Sequence, residues 1–173
     1  IAESRRLLDA TIARCRTDRQ RARARLLDRA FQYYEASALA YLAGSEAGRA
    51  RPNTEAEALA ALDLAVRGLE MAQRRRHLAL EVFPTDPVLL NPLGIERFPA
   101  LAGLTWGGSG IASVADWVVK GDSPVRERVR KLAADAPSPL VREQAALLLA
   151  LADGKVKLVS RNPSFQEGSG EQA

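Results

Sequence analysis

Cysteine and histidine occur once each in this chain of 173 residues, as Cys15 and His77. One thiol cannot close an intramolecular bridge, and one imidazole cannot supply the two- or three-His ligand sets of zinc sites. Neither a disulfide framework nor chelate metal chemistry is therefore expected. A thiol and an imidazole suffice in principle for nucleophilic acyl transfer, but Cys15 sits in an Arg-rich helical run with no motif around it. His77 follows Arg74, Arg75 and Arg76, and reads as a surface or half-buried helix residue before it reads as an acid or base. Long apolar runs are missing too: none approaches the roughly 20 residues needed to cross a bilayer. The chain opens on Ile1 with no basic and apolar leader, so we expect a piece of a longer protein without a membrane anchor of its own.

The motifs of common catalytic classes are equally scarce. There is no glycine-rich phosphate loop, no G-x-S-x-G elbow and no H-E-x-x-H. A glycosidase needs two carboxylates about 5 to 10 Å apart around a bound sugar. Glu55, Glu57, Asp116, Asp122, Glu127, Glu143 and Asp153 all have ordinary capping or surface explanations. The residues thus point to no catalytic set, no cofactor and no metal.

What is present is enough apolar material for a core. Hydrophobic residues make up 47% of the chain and charged ones 27%. A chain of this length can bury roughly 70% of the surface its extended form exposes. Thirty-one residues are Ala, and apolar positions recur at spacings of three and four, the period of an amphipathic helix. In residues 1–16 that period puts Leu8, Ile12 and Cys15 on one stripe. Thr17 or Asp18 either caps a new helix or lies within a continuing or slightly kinked one, and we expect the latter.

From 20 to 44, Leu27, Phe31, Tyr34, Ala38 and Tyr41 step along one face of a long helix, a seam that calls for a partner. Gly44, Gly48 and Pro52 then predict a helix end and a loop of about ten residues. Thr54 with Glu57 reads as a capping box opening a second long helix that runs to about Phe83. Its facing stripe is Leu59, Leu62, Val66 and Leu69. Two such helices joined by a short loop form an antiparallel pair.

Pro84, Pro87, Pro92 and Pro99 forbid a long helix in the middle of the chain, while Leu89, Leu90, Leu93 and Ile95 still need burial. An ordered connector lying on the bundle is expected there. A short helix over 111–119 presents Ile111, Val114, Ala115 and Val118 on one face. Ser123-Pro124 and Ser138-Pro139 each place an N-cap before a proline at the first helical position, and the second of these helices ends at Gly154. Two short copies do not make a solenoid array, so common use of a helix-start signal is the expected reading. Beyond Gly154, Val156, Leu158 and Val159 alternate with polar residues like a strand. The expected fold is all-α: a bundle built on a long antiparallel helix pair, a Pro-rich connector, three shorter helices and one strand-like tail. The expected division is a helical domain over 1–154 and a linker with the start of a second module over 155–173.

Charge is biased toward the N-terminus. Residues 1–51 carry eleven basic and six acidic side chains, and Arg5, Arg6, Arg14, Arg16, Arg19, Arg21, Arg23, Arg25 and Arg29 crowd the first thirty positions. Such density can track phosphates, although Arg outnumbers Lys 21 to 4 throughout and a solvated helix face is the simpler reading. Tyr33, Tyr34 and Tyr41 could stack on sugar rings or bases, or pack in a helical core. Trp106 lies in Leu104-Thr105-Trp106-Gly107-Gly108-Ser109, where glycines admit close approach of a ligand or of another backbone. Trp117 reads as a core or interface residue.

Leu158-Val159-Ser160-Arg161-Asn162-Pro163-Ser164-Phe165-Gln166-Glu167-Gly168 resembles the first strand of a jelly-roll carbohydrate-binding module of the kind appended to bacterial glycoside hydrolases. Those modules open with an apolar pair, then Asn-Pro-x-Phe-Glu and a Gly. Gln166 stands where that family has a Glu associated with structural calcium, which leaves metal binding by the module open; Glu167 is the neighbouring carboxylate. The preceding residues are similar to the helical domain that follows the barrel in large secreted glucuronidase-like and hexosaminidase-like proteins. The shared features are a Tyr-rich long helix (Phe31-Gln32-Tyr33-Tyr34), an Ala- and Leu-rich return helix and a Pro-rich connector. The resemblance implies a non-catalytic accessory domain of a secreted, periplasmic or cell-surface protein. Its partners would be a preceding catalytic-type barrel and a following carbohydrate-binding module of the same chain, with Trp106, Tyr33, Tyr34 or Tyr41 at the edge of a glycan site. The alternative is a free-standing module that binds protein or nucleic acid through its Arg-rich helices, nucleic acid being the lesser of these partners and a membrane not among them.

Overall fold

A computed structural model describes residues 1–82 and 108–156. All regular structure among them is helical: α1 (Ala2–Ala13), α2 (Asp18–Arg49), α3 (Glu55–His77) continuing into a π turn (Leu78–Val82), a 3-10 segment (Gly108–Val114), α4 (Ala115–Val119), α5 (Pro124–Asp135) and α6 (Pro139–Ala152). The fold is all-α, as the periodicity indicates. The Pro-rich connector, Trp106 and the strand-like tail after Val156 lie outside the described residues.

The chain breaks between α1 and α2, where continuation was expected. Thr17 Oγ1 accepts the Gln20 amide at 3.2 Å, and Gln20 Oε1 accepts the amides of Thr17 at 3.0 Å and Arg16 at 2.9 Å. This reciprocal box satisfies donors that the start of a helix leaves open. Arg21 braces the same corner, its Nη1 donating to the carbonyls of Cys15 and Arg16 and its Nη2 to Asp18. α1 then folds back along α2 through Leu8, its one buried side chain, with Ile12 and Cys15 half-buried beside it.

The α2–α3 pair forms, but α2 uses a different face from the expected seam. Its buried positions are Ala24, Ala36, Ala40, Gly44 and Ala47, whereas Leu27, Tyr34 and Tyr41 point outward. The cause is backbone proximity. A Cβ built on Gly68 of α3 would lie 3.0 Å from the Gly44 nitrogen, 3.3 Å from its Cα and 3.4 Å from the Ala40 carbonyl oxygen. Only small side chains fit at such a crossing. Gly44 therefore sits inside the helix at the contact, α2 continues to Arg49, and the link to α3 is shorter than the expected ten-residue loop. α3 supplies Ala58, Ala61, Leu62, Ala65, Gly68, Leu69 and Ala72 to the interior. Within its expected stripe Leu62 and Leu69 are fully buried, and Leu59 and Val66 lie half-buried at its edge. At its start Thr54 Oγ1 accepts the Glu57 amide at 3.2 Å, while the Glu57 carboxylate reaches one residue further than expected, to the Asn53 amide at 2.8 Å.

The 3-10 segment lies in the crease of this pair. A Cβ on Gly110 would come within 3.0 Å of Ala47 Cβ and 3.2 Å of the Gly44 carbonyl oxygen. Ile111, Val114 and Val118 thus enter one core with Leu62, Leu69, Val125, Val129, Leu132, Leu140, Val141 and Leu148. The expected short helix is divided: Ile111 and Val114 belong to 3-10 structure and only Ala115–Val119 is α-helical. Trp117 ties this segment to the α2–α3 link, its Nε1 donating to the Pro52 carbonyl at 3.3 Å while Lys120 Nζ lies 4.4 Å from the ring centre. Ser123 and Ser138 cap α5 and α6 with proline at the first turn. Gly154 takes the left-handed φ of 69° that stops α6.

Candidate functional site

Of the aromatic candidates, Tyr33 does not share the exposed face of Tyr34 and Tyr41. Trp106 lies outside the described residues. Tyr33 is half-buried and packs on a small second core of Ala36, Leu78 and Ala79. Its hydroxyl is a hydrogen-bond partner of Arg75, a guanidinium only 2% exposed, whose pKa is lowered by burial against the opposing effect of Tyr33. Tyr33 is thus occupied inside the bundle. Tyr34 and Tyr41 stand on the outer face of α2, 58% and 54% exposed. Seven residues of helix separate them by about 10 Å along the axis. The Tyr34 ring tilts against Phe31 with centroids 5.8 Å apart.

Other apolar side chains of α2 are exposed as well. Leu39 and Leu42 of α2 are also exposed, and with Ala43, Leu64 and Met71 they line a groove of about 360 Å³ between α2 and α3. Glu46, Arg67 and Glu70 rim it. An apolar surface with a polar rim suits the burial of another protein surface better than the capture of a small polar substrate.

A second concavity lies between α1 and α2. Thr11, Arg14, Cys15, Gln20, Arg23, Ala24 and Leu27 line a cleft of about 470 Å³. Sequence reading found these arginines but not the cleft, because whether a guanidinium is engaged depends on tertiary partners. Arg5 is engaged: it meets Asp28 at 2.5 Å and Glu35 at 2.8 Å, and these hydrogen bonds raise its pKa, that of Glu35 contributing most. Arg6 pairs with Glu3 and Arg21 with Asp18. Arg14, Arg16, Arg19, Arg23 and Arg25 have no carboxylate partner among the described residues.

Cys15 Sγ, just past the end of α1, donates to the Thr11 carbonyl four residues back at 3.4 Å and has no bond to His77. No group of three or more His, Cys, Asp or Glu side chains there is arranged to hold a metal ion. Asp153 is engaged structurally, its pKa lowered first by the Lys155 ammonium at 3.0 Å and then by Arg126. Arg126 in turn donates to the Val118 carbonyl at 2.8 Å, so these charges fasten α4, α5 and the end of α6 together. No described helix is long and apolar enough to cross a membrane. No protein-family profile matches the chain, and no curated protein or solved structure matches it either.

Proposed function

We propose that this chain is a non-catalytic helical accessory domain of a secreted, multidomain carbohydrate-active protein, bracing a catalytic barrel through the outer face of α2. The observation that carries the reading is the exposure of four large side chains of α2, Tyr34, Leu39, Tyr41 and Leu42, of which Leu39 and Leu42 line the groove to Leu64 and Met71. A domain that buries such a surface against a neighbour gains about 25 cal/mol for each Å² of apolar area removed from water. The resemblance of residues 158–168 to the opening strand of a carbohydrate-binding module supplies the glycan context. Tyr34 and Tyr41 are the described aromatic side chains that could extend from such an interface to the edge of a sugar site.

The test is a double substitution, Tyr34→Glu with Leu42→Glu, made in the 173-residue chain and in the longer product of its gene. The isolated chain should keep its melting temperature, because neither side chain is in its core. The longer protein should lose the coupled melting of its domains. Unchanged melting of the longer protein would overturn the proposal.

A further inference from the structure

The Arg-rich N-terminal region divides by what its guanidinium groups touch. Arg5, Arg6 and Arg21 are held by carboxylates of the chain. Arg14 and Arg23 are exposed, line the α1–α2 cleft and have no acidic partner among the described residues. We propose that this cleft docks an acidic segment of another protein, anchored by one apolar side chain between α1 and α2.

Three features fit that occupant. Part of the lining is apolar, supplied by Cys15, Ala24 and Leu27, the last 59% exposed. A large apolar side chain placed there removes the exposed part of Leu27 from water, which favours binding. The lining also carries two guanidinium groups whose planar forks match carboxylates in paired hydrogen bonds, and these strengthen beside an apolar surface that excludes water. Arg16, Arg19 and Arg25, also without acidic partners, extend the positive field that draws in an acidic chain.

The cleft is also held in shape before anything binds. Gln20 fixes the corner through the Arg16 and Thr17 amides, and Arg21 fixes it through the Cys15 and Arg16 carbonyls. Binding to a formed cleft avoids the entropy of ordering its walls. A nucleic acid fits less well, because the lining has no aromatic ring on which a base could stack.

The proposal is independent of the brace, which uses the Tyr34 and Leu42 surface. It is tested by titrating the isotope-labelled 173-residue chain with a short peptide of Glu and Asp around a central Phe, and following backbone amide NMR shifts. Saturable shifts are expected at Thr11, Cys15, Gln20, Ala24 and Leu27. They should weaken by about tenfold or more in the double variant Arg14→Gln with Arg23→Gln, and by a similar factor when the peptide Phe is replaced by Ser. Circular dichroism melts of the variant should match the unmodified chain, since both arginines are exposed. Absence of saturation, or shifts indifferent to both changes, would overturn the proposal. Stronger binding of single-stranded oligo(dT), or of phosphatidylserine vesicles, at the same amides would overturn it in favour of a phosphate-bearing partner.

Discussion

Gly44 and Gly68 face each other where α2 crosses α3, so closely that a Cβ on Gly68 would stand 3.0 Å from the Gly44 nitrogen. The contact is with backbone, which cannot swing aside as a side-chain end can. Gly68→Ala gains about 1 kcal/mol of helix propensity but separates the two helices, and a net loss of about 1 to 3 kcal/mol is expected from overpacking. Gly48 is the control, because no atom lies within 4 Å of a Cβ built there. Gly48→Ala is expected to leave stability equal or raised by a few tenths of a kcal/mol. Urea unfolding of the two variants separates the outcomes.

The direction in which α2 presents its large side chains is measurable in the same way. Leu69→Ala is expected to cost about 2 to 5 kcal/mol, because Leu69 is fully buried in the main core. Leu27→Ala, on the exposed side of α2, is expected to cost less than about 1 kcal/mol. A loss at Leu27 as large as that at Leu69 would restore the large-residue seam as the packing face.

α1 rests on α2 through little more than Leu8 and the Arg5 network. Arg5 also lies 4.8 Å above the Phe31 ring centre, so one side chain carries both ionic and aromatic contacts. Arg5→Ala is expected to remove about 1 kcal/mol. Hydrogen exchange should show the loss locally: α1 amides accelerate while those of α3 keep their protection.

Asp153 gives the expected acid dependence. Its pKa is held below the ordinary 3.8, first by Lys155 and then by Arg126. A carboxylate depressed in the folded state contributes stability that is fully present above its unfolded value and is lost as pH falls through the folded value. The stability difference between the unmodified chain and Asp153→Asn should therefore be constant at neutral pH and shrink only below 3.8. Paired urea titrations across that range check it, and a difference that grows on acidification would reverse the sign.

Local chemistry was legible in the sequence wherever one residue acts on its near neighbours. The caps at Thr54, Ser123 and Ser138 and the stop at Gly154 are of this kind. The Thr17–Gln20 box is equally local, and its Gln at the third position was the signal that could have located the α1–α2 break. Gly44 was not legible, because a glycine that ends a helix and one that admits a second helix look alike until the second helix is in place. The same holds for the α2 face: side-chain size points to Leu27, Tyr34 and Tyr41, whereas close backbone approach selects Ala36, Ala40, Gly44 and Ala47. Of the aromatic candidates, spacing alone could separate Tyr33 from Tyr34, which point about 100° apart around the helix. That Tyr33 meets Arg75 required α3 to be in position.

Radical footprinting of Tyr34 and Leu42, in the 173-residue chain and in the longer product of its gene, addresses the proposed brace most directly. Docking of α2 against a neighbouring domain should sharply lower the oxidation of both residues in the longer protein and leave that of Val119, exposed on α4, unchanged. Equal oxidation of Tyr34 and Leu42 in the two proteins, or a gene that encodes no more than these residues, would contradict it.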